Sequence, residues 1–152
     1  MPVRTIDSPL GPMLATSNDG SLTALGFDGE PDHDDACDVL DRVETQLARY
    51  FAGELDRFEL SLAPQSTPFQ QRVWDALLRI PPGETRSYAS VARQIHNPDA
   101  IRAVGAANGA NPIAIIIPCH RVVASDGTLH GYAGGLKRKR YLLDLEAQTL
   151  FA

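Results

Sequence analysis

Ile117-Pro118-Cys119-His120-Arg121-Val122 sets a thiol beside an imidazole and a guanidinium at the end of an apolar run. These residue types suit nucleophilic chemistry. The thiolate is the reactive form of cysteine, and a neighbouring His or Arg favours it by lowering the thiol pKa. Its proton needs a base, for which histidine is the usual choice. Sequence neighbours need not touch, so a water can carry the proton from Cys119 to His120. A third group should orient the base, and Glu146, in the last helical stretch, is the best candidate. A cysteine after an apolar run is more often a small core residue. The polar neighbours are what make Cys119 a candidate nucleophile. The other cysteine, Cys37, lies in an acidic stretch. Cys-x-x-Cys spacing is absent and the histidines at 33, 96, 120 and 130 do not cluster, so no metal site is expected.

Further groups flank the nucleophile. Gly131-Tyr132-Ala133-Gly134-Gly135 is a loose loop whose backbone N–H groups can face a substrate oxygen. It lacks the Gly-Lys-Ser/Thr ending of a phosphate loop. Lys137-Arg138-Lys139-Arg140 is a basic run, either a solvated helix face or a phosphate contact. Charge is unevenly distributed along the chain. Residues 1–63 hold 4 basic and 13 acidic side chains, a net −9, whereas residues 64–152 hold 10 and 6, a net +4. The second part is the expected face for an anionic partner.

The elements that must position these groups follow from spacing. Val3–Ile6, Met13–Thr16 and Leu22–Phe27 read as strands, with Asn18-Asp19-Gly20 as a tight hairpin turn. Val39, Leu40, Val43, Leu47, Tyr50 and Phe51 form one helical stripe closed by Gly53, and Phe58–Leu62 alternates as a strand would. Ala63-Pro64-Gln65-Ser66-Thr67-Pro68 is a linker at which the charge also changes sign. Two domains are therefore predicted, residues 1–63 and 64–152. In the second, helices are expected near Phe69–Arg79, from Tyr88 with Ser87 as its cap, and over Ala100–Asn108. The last two, joined by Asn97-Pro98-Asp99, have the form of a helix-turn-helix. Ile101-Arg102-Ala103-Val104-Gly105-Ala106-Ala107-Asn108 carries little bulk besides one arginine, which suits close approach to a surface with Arg102 as its probe. Ile113–Ile117 reads as a buried strand and Arg140–Gln148 as a final helix.

The 43% hydrophobic content fits a globular chain. No apolar run approaches the ~20 residues that span a membrane. The opening Met1–Asp7 lacks the basic-then-apolar form of a signal peptide. A soluble, cytoplasmic protein is expected, with no membrane partner.

Pro118-Cys119-His120-Arg121-Val122, with Arg102-Ala103-Val104-Gly105 and Asn111-Pro112 before it and Gly131–Gly135 after it, resembles the methylated-DNA–protein-cysteine methyltransferases, the O6-alkylguanine-DNA alkyltransferases. The resemblance is strong over residues 66–148 and weak before them. It implies an α+β fold, a small ribonuclease-H-like sheet domain followed by a winged helix-turn-helix-like domain. It implies direct-reversal repair, in which Cys119 takes the alkyl group from O6-alkylguanine, or O4-alkylthymine, in one irreversible displacement. His120 would deprotonate Cys119 through a water, Glu146 would orient His120, and Tyr88 would protonate guanine N3. Arg102 would fill the space left by the flipped nucleotide, with the small helix in the minor groove of double-stranded DNA. Asn111 would hold the turn before the active-site strand. Backbone groups of Cys119, Val122 and Ala133 would read the guanine edge, and Tyr132 would wall the pocket. Gln70, Ala89, Asn97 and Ser125 align with positions that touch the DNA backbone. No cofactor is implied. The expected species is a monomer, with cooperative loading on DNA left open.

Three departures stand out. The N-terminal cysteines and histidines with which some relatives hold zinc are missing. Ala110 replaces a common basic residue, and Ala133 replaces the serine of vertebrate-type enzymes. Three rival functions fit parts of this pattern. A non-enzymatic reader of alkylated DNA would lack Cys119. A cysteine hydrolase would not need Arg102 or the small helix. A transcriptional regulator would prefer one DNA sequence with or without the cysteine.

Overall fold

The computed structural model describes residues 1–29, 33–129, 131–132 and 134–149. They form two compact units, Met1–Gln65 and Ser66–Ala152. In the first unit β1 (Val3–Ile6), β2 (Met13–Asn18) and β3 (Ser21–Gly26) make an antiparallel sheet in the order β1-β2-β3. The β2–β3 hairpin turns through Asp19 and Gly20, both at positive φ (50° and 79°). That is the sign a tight two-residue hairpin requires. Helix α1 (Asp38–Phe51) buries Val39, Leu40, Val43, Leu47 and Tyr50 of the stripe expected from spacing, while Phe51 at its end is half-buried, and Gly53 at φ 76° follows.

Phe58–Leu62 is not a strand. It makes a single bridge, Leu22 with Leu62. The Gln46 side chain on α1 instead accepts from the Glu59 N–H (2.9 Å) and donates to its carbonyl (3.1 Å). A helix side chain therefore satisfies backbone groups that a neighbouring strand would otherwise take.

The second unit begins with α2 (Pro68–Leu77). Thr67 and Gln70 form a reciprocal capping box, and Pro68 stands in the first turn, where its missing N–H costs no hydrogen bond. Two-residue strands β4 (Arg86–Ser87) and β5 (Val122–Val123) pair in parallel. Helix α3 (Tyr88–Gln94) is capped by the Ser87 hydroxyl, which accepts from the Ser90 N–H. Helix α4 (Ile101–Gly109) follows the Asn97–Asp99 turn. The Trp74 indole on α2 donates to the Ala107 carbonyl at 2.9 Å and ties α2 to α4. Helix α5 (Leu136–Thr149) starts one turn earlier than the expected Arg140, because Gly135 at φ 92° ends the preceding loop and accepts from the Lys139 N–H. No described helix is long and apolar enough to cross a membrane.

Ile113–Ile117 corrects a second sequence expectation. The segment is buried, but it is a series of turns rather than a strand. Ile115 sits at φ 71°, an outlier for a β-branched side chain. The Asn111 carboxamide closes the turn, accepting from the Ile113 N–H at 3.0 Å and donating to the Ile117 carbonyl at 2.7 Å. An apolar run reports burial, and a side chain outside the run decided its path.

Candidate active site

Cys119 opens a 3-10 turn (Cys119–Arg121) that runs into β5, directly after the turns anchored by Asn111. The next two side chains are buried, and both meet Glu146 on α5. The His120 Nε2 lies 2.8 Å from Glu146 Oε2. The Arg121 guanidinium is bidentate, with Nε 2.9 Å from Oε1 and Nη2 2.8 Å from Oε2. Its Nη1 donates to the Ile80 carbonyl after α2 at 2.7 Å.

Burial alone would push the Glu146 carboxyl up. The His120 and Arg121 hydrogen bonds and charges outweigh that and hold it down at about 2. Glu146 is thus ionised at neutral pH, and a carboxylate can only accept. His120 Nε2 must then be the donor. Burial, helped by the Arg121 and Lys139 charges, lowers the His120 pKa against the pull of Glu146. A neutral ring with its proton on Nε2 leaves the lone pair on Nδ1. That atom is buried and has no protein partner among the described residues. Nδ1 can therefore accept a proton.

Cys119 corrects an expectation. His120 and Arg121 do not lower the thiol pKa by standing next to it, because both are turned to Glu146. Burial pushes the Cys119 thiol above its ordinary value, while the Asn111 carboxamide and the Lys139 charge pull it the other way without prevailing. The resting group is a thiol, so a nucleophilic role would require it to lose its proton.

The other sequence-predicted residues are placed as follows. Tyr88, first in α3, is half-buried, and burial together with the Cys119 charge raises its hydroxyl pKa. Tyr132 is shifted the same way, and its hydroxyl is buried with no partner among the described residues. Both keep their protons at neutral pH. Arg102 is exposed near the start of α4, with Ala103 and Ala106 also exposed, while Val104, Ala107 and Asn108 face the core. The Val122 carbonyl accepts from Lys139 Nζ at 2.7 Å. The Gln70 side chain is engaged in the capping box. Ala89 is half-buried on α3, Asn97 lies in the turn before α4, and Ser125 is exposed in the turn after β5. Ala133 lies outside the described residues. Among the described residues no three His, Cys, Asp or Glu side chains group as metal ligands would.

Sequence reasoning missed two participants. Lys139, read as one of four surface cations, is fully buried. Its signal was present, since 139, 142 and 146 recur at i, i+3, i+7 and so share the inward face of α5. Asn108 is buried on α4 and donates to the Cys119 carbonyl at 3.3 Å. Nothing in its type or spacing announced that contact.

Glu146→Gln tests the charge cluster. A carboxyl with a depressed pKa contributes stability above its ordinary pKa of ~4.3, and that stability is lost as pH falls toward about 2. Removing the charge from a buried pair should destabilise the second unit by about 3 kcal/mol at neutral pH. The variant's urea stability should also fall less steeply than the wild type's between about pH 4.5 and 2. Parallel acid limbs would remove Glu146 as their source.

Comparison with known proteins places this geometry. Residues 1–64 match the ribonuclease-like domain, and residues 68–148 the DNA binding domain, of the 6-O-methylguanine DNA methyltransferases. The chain is 51% identical to the methylated-DNA–protein-cysteine methyltransferase of Mycobacterium tuberculosis H37Rv, covering 94% of this chain and 90% of that one. It is 49% identical to the Methanosarcina barkeri protein of the same name, over 95% and 96% of the two chains. It superposes on the crystal structure of M. tuberculosis OGT in complex with DNA at a TM-score of 0.89 with 51% identity, covering 97% and 93%. An O6-methylguanine DNA methyltransferase from Methanococcus jannaschii aligns at 0.74 with 28% identity, over 97% and 95%.

Proposed function

The chain belongs to the 6-O-methylguanine DNA methyltransferase family, and from that premise we propose that Cys119 accepts the alkyl group of O6-alkylguanine in duplex DNA. The protein is a DNA-binding repair transferase acting by direct, stoichiometric alkyl transfer. The observation that carries the residue assignment is the buried His120–Glu146 pair next in sequence to Cys119, which leaves His120 Nδ1 buried and without a hydrogen-bond partner among the described residues.

Cys119 loses its proton through a water to His120 Nδ1, and Glu146 stabilises the imidazolium that forms. The thiolate sulfur displaces the alkyl carbon from O6. A carbon–sulfur bond forms, the carbon–oxygen bond breaks, and its electron pair stays on guanine. Tyr88 supplies a proton to N3, so guanine leaves neutral. The product thioether is a poor leaving group and no neighbouring side chain can remove it, so each molecule acts once. O4-alkylthymine presents the same alkyl–oxygen bond and can react in the same way.

O6 faces the partner base inside the duplex, so the nucleotide must leave the stack at a cost of a few kcal/mol. The exposed face of α4, where Ile101 and Arg102 stand among small residues, suits approach to the minor groove, with Arg102 filling the vacated space. Tyr132 walls the pocket, and backbone groups of Cys119, Val122 and Ala133 read the guanine edge. Gln70, Ala89, Asn97 and Ser125 meet the DNA backbone, with one protein molecule at each lesion.

Two measurements test this reading. After reaction with duplex containing O6-methylguanine, peptide mass spectrometry should find one added methyl on the Cys119 peptide for each lesion lost. Repaired DNA beside unmodified Cys119 would overturn the assignment. Arg102→Ala should slow repair in duplex by about tenfold or more, given the unstacking energy, and slow transfer from the free O6-alkylguanine base far less. Equal losses with both substrates would remove Arg102 from flipping.

A further inference from the structure

The helix-turn-helix has a second polar feature besides the face of α4. A notch of about 240 Å³ lies between α2 and the end of α3, lined by Arg72, Asp75, Arg79, Gln94, Ile95 and His96 with Ala76 at its floor. Its charges are partly committed. The Arg72 guanidinium donates to the Ile95 carbonyl at the end of α3. The Asp75 carboxylate accepts from the Gln71 side chain at 2.8 Å. Arg79 and His96 are exposed, and neither side chain has a hydrogen bond or ion pair with a described residue.

His96 is also conformationally unusual. It holds φ 61°, the left-handed region, in the turn that leads into α4. A side chain there costs roughly 1 kcal/mol that glycine would avoid. That conformation closes α3, whose Ala92 carbonyl accepts from the Asn97 N–H at 2.9 Å. In a helix-turn-helix the second helix enters a groove, and the segment entering it stands beside the sugar-phosphate backbone at the groove's edge. His96 lies six residues before Arg102, the predicted probe of that groove. With two guanidiniums against one carboxylate, the notch is net cationic and its size admits one phosphate.

We propose that this notch holds a phosphate of the DNA backbone through Arg79 and His96, anchoring the duplex beside the end that α4 enters. The proposal rests on the DNA-binding reading given above. It assigns a job to an arginine and a histidine that the alkyl transfer does not use.

The test measures binding of a 16-base-pair duplex to the full chain across a series of KCl concentrations, for wild type, Arg79→Ala and His96→Gly. Each neutralised phosphate contributes about −0.9 to the slope of log affinity against log salt. Arg79→Ala should reduce that slope by about one unit and weaken binding severalfold at ~0.1 M salt. His96→Gly suits the left-handed turn, so it should melt at or above the wild-type temperature and still bind more weakly. Wild-type slopes and affinities in both variants would overturn the notch while leaving the DNA reading in place. A wild type that binds no duplex would overturn both. Unchanged duplex binding, with inorganic phosphate alone shifting the His96 ring resonances, would make the notch a small-anion site and also overturn the proposal.

Discussion

The Glu146 carboxylate is the fixed point of the second unit. Water would solvate such a group well. Here it is buried, and it stays charged because one imidazole and one bidentate guanidinium take its oxygens. A buried charge is tolerated when its hydrogen bonds are filled, and removing one partner leaves an uncompensated ion. This dictates the path of the chain around it. His120 and Arg121 must turn to the same side, which a 3-10 turn allows. Helix α5 must present residue 146 inward, and the end of α2 must stay within reach of Arg121 through the Ile80 carbonyl. Cys119 stands one residue ahead of this anchor, in the same 3-10 turn.

The same economy appears on the other side of Cys119. Asn111 folds five apolar residues into turns, and its carboxamide also favours the thiolate. Asn108 reaches the Cys119 carbonyl from α4. The helix that offers Arg102 to solvent thus also holds the Cys119 backbone, so an exposed face and the buried turn share one element. Lys139 adds a buried positive charge whose field reaches the thiol. Its partner at Val122 keeps it directed inward.

Much of this was legible before any coordinates. The β1–β3 strands, the α1 stripe, the Ser87 cap and the small helix follow from period and turn chemistry, which act locally. The His120–Glu146 contact followed from what a histidine base requires. What failed shares a cause. Ile113–Ile117 and Phe58–Leu62 were read from apolar period alone, yet the carboxamides of Asn111 and Gln46 redirected their backbones. Proximity in sequence suggested that His120 and Arg121 would acidify Cys119, whereas a carboxylate more than twenty residues away claimed both. Lys139 was hidden inside a basic run, although the period of its own helix pointed it inward.

In the proposed mechanism Glu146 fixes His120 as a neutral base with its proton on Nε2 and its lone pair on Nδ1. The ¹⁵N chemical shifts of the His120 ring in the unreacted protein at neutral pH test this most directly. The expected result is one protonated nitrogen, Nε2, coupled to Glu146, and one bare nitrogen, Nδ1. A ring protonated on Nδ1 alone, or an imidazolium already present before substrate arrives, would contradict it.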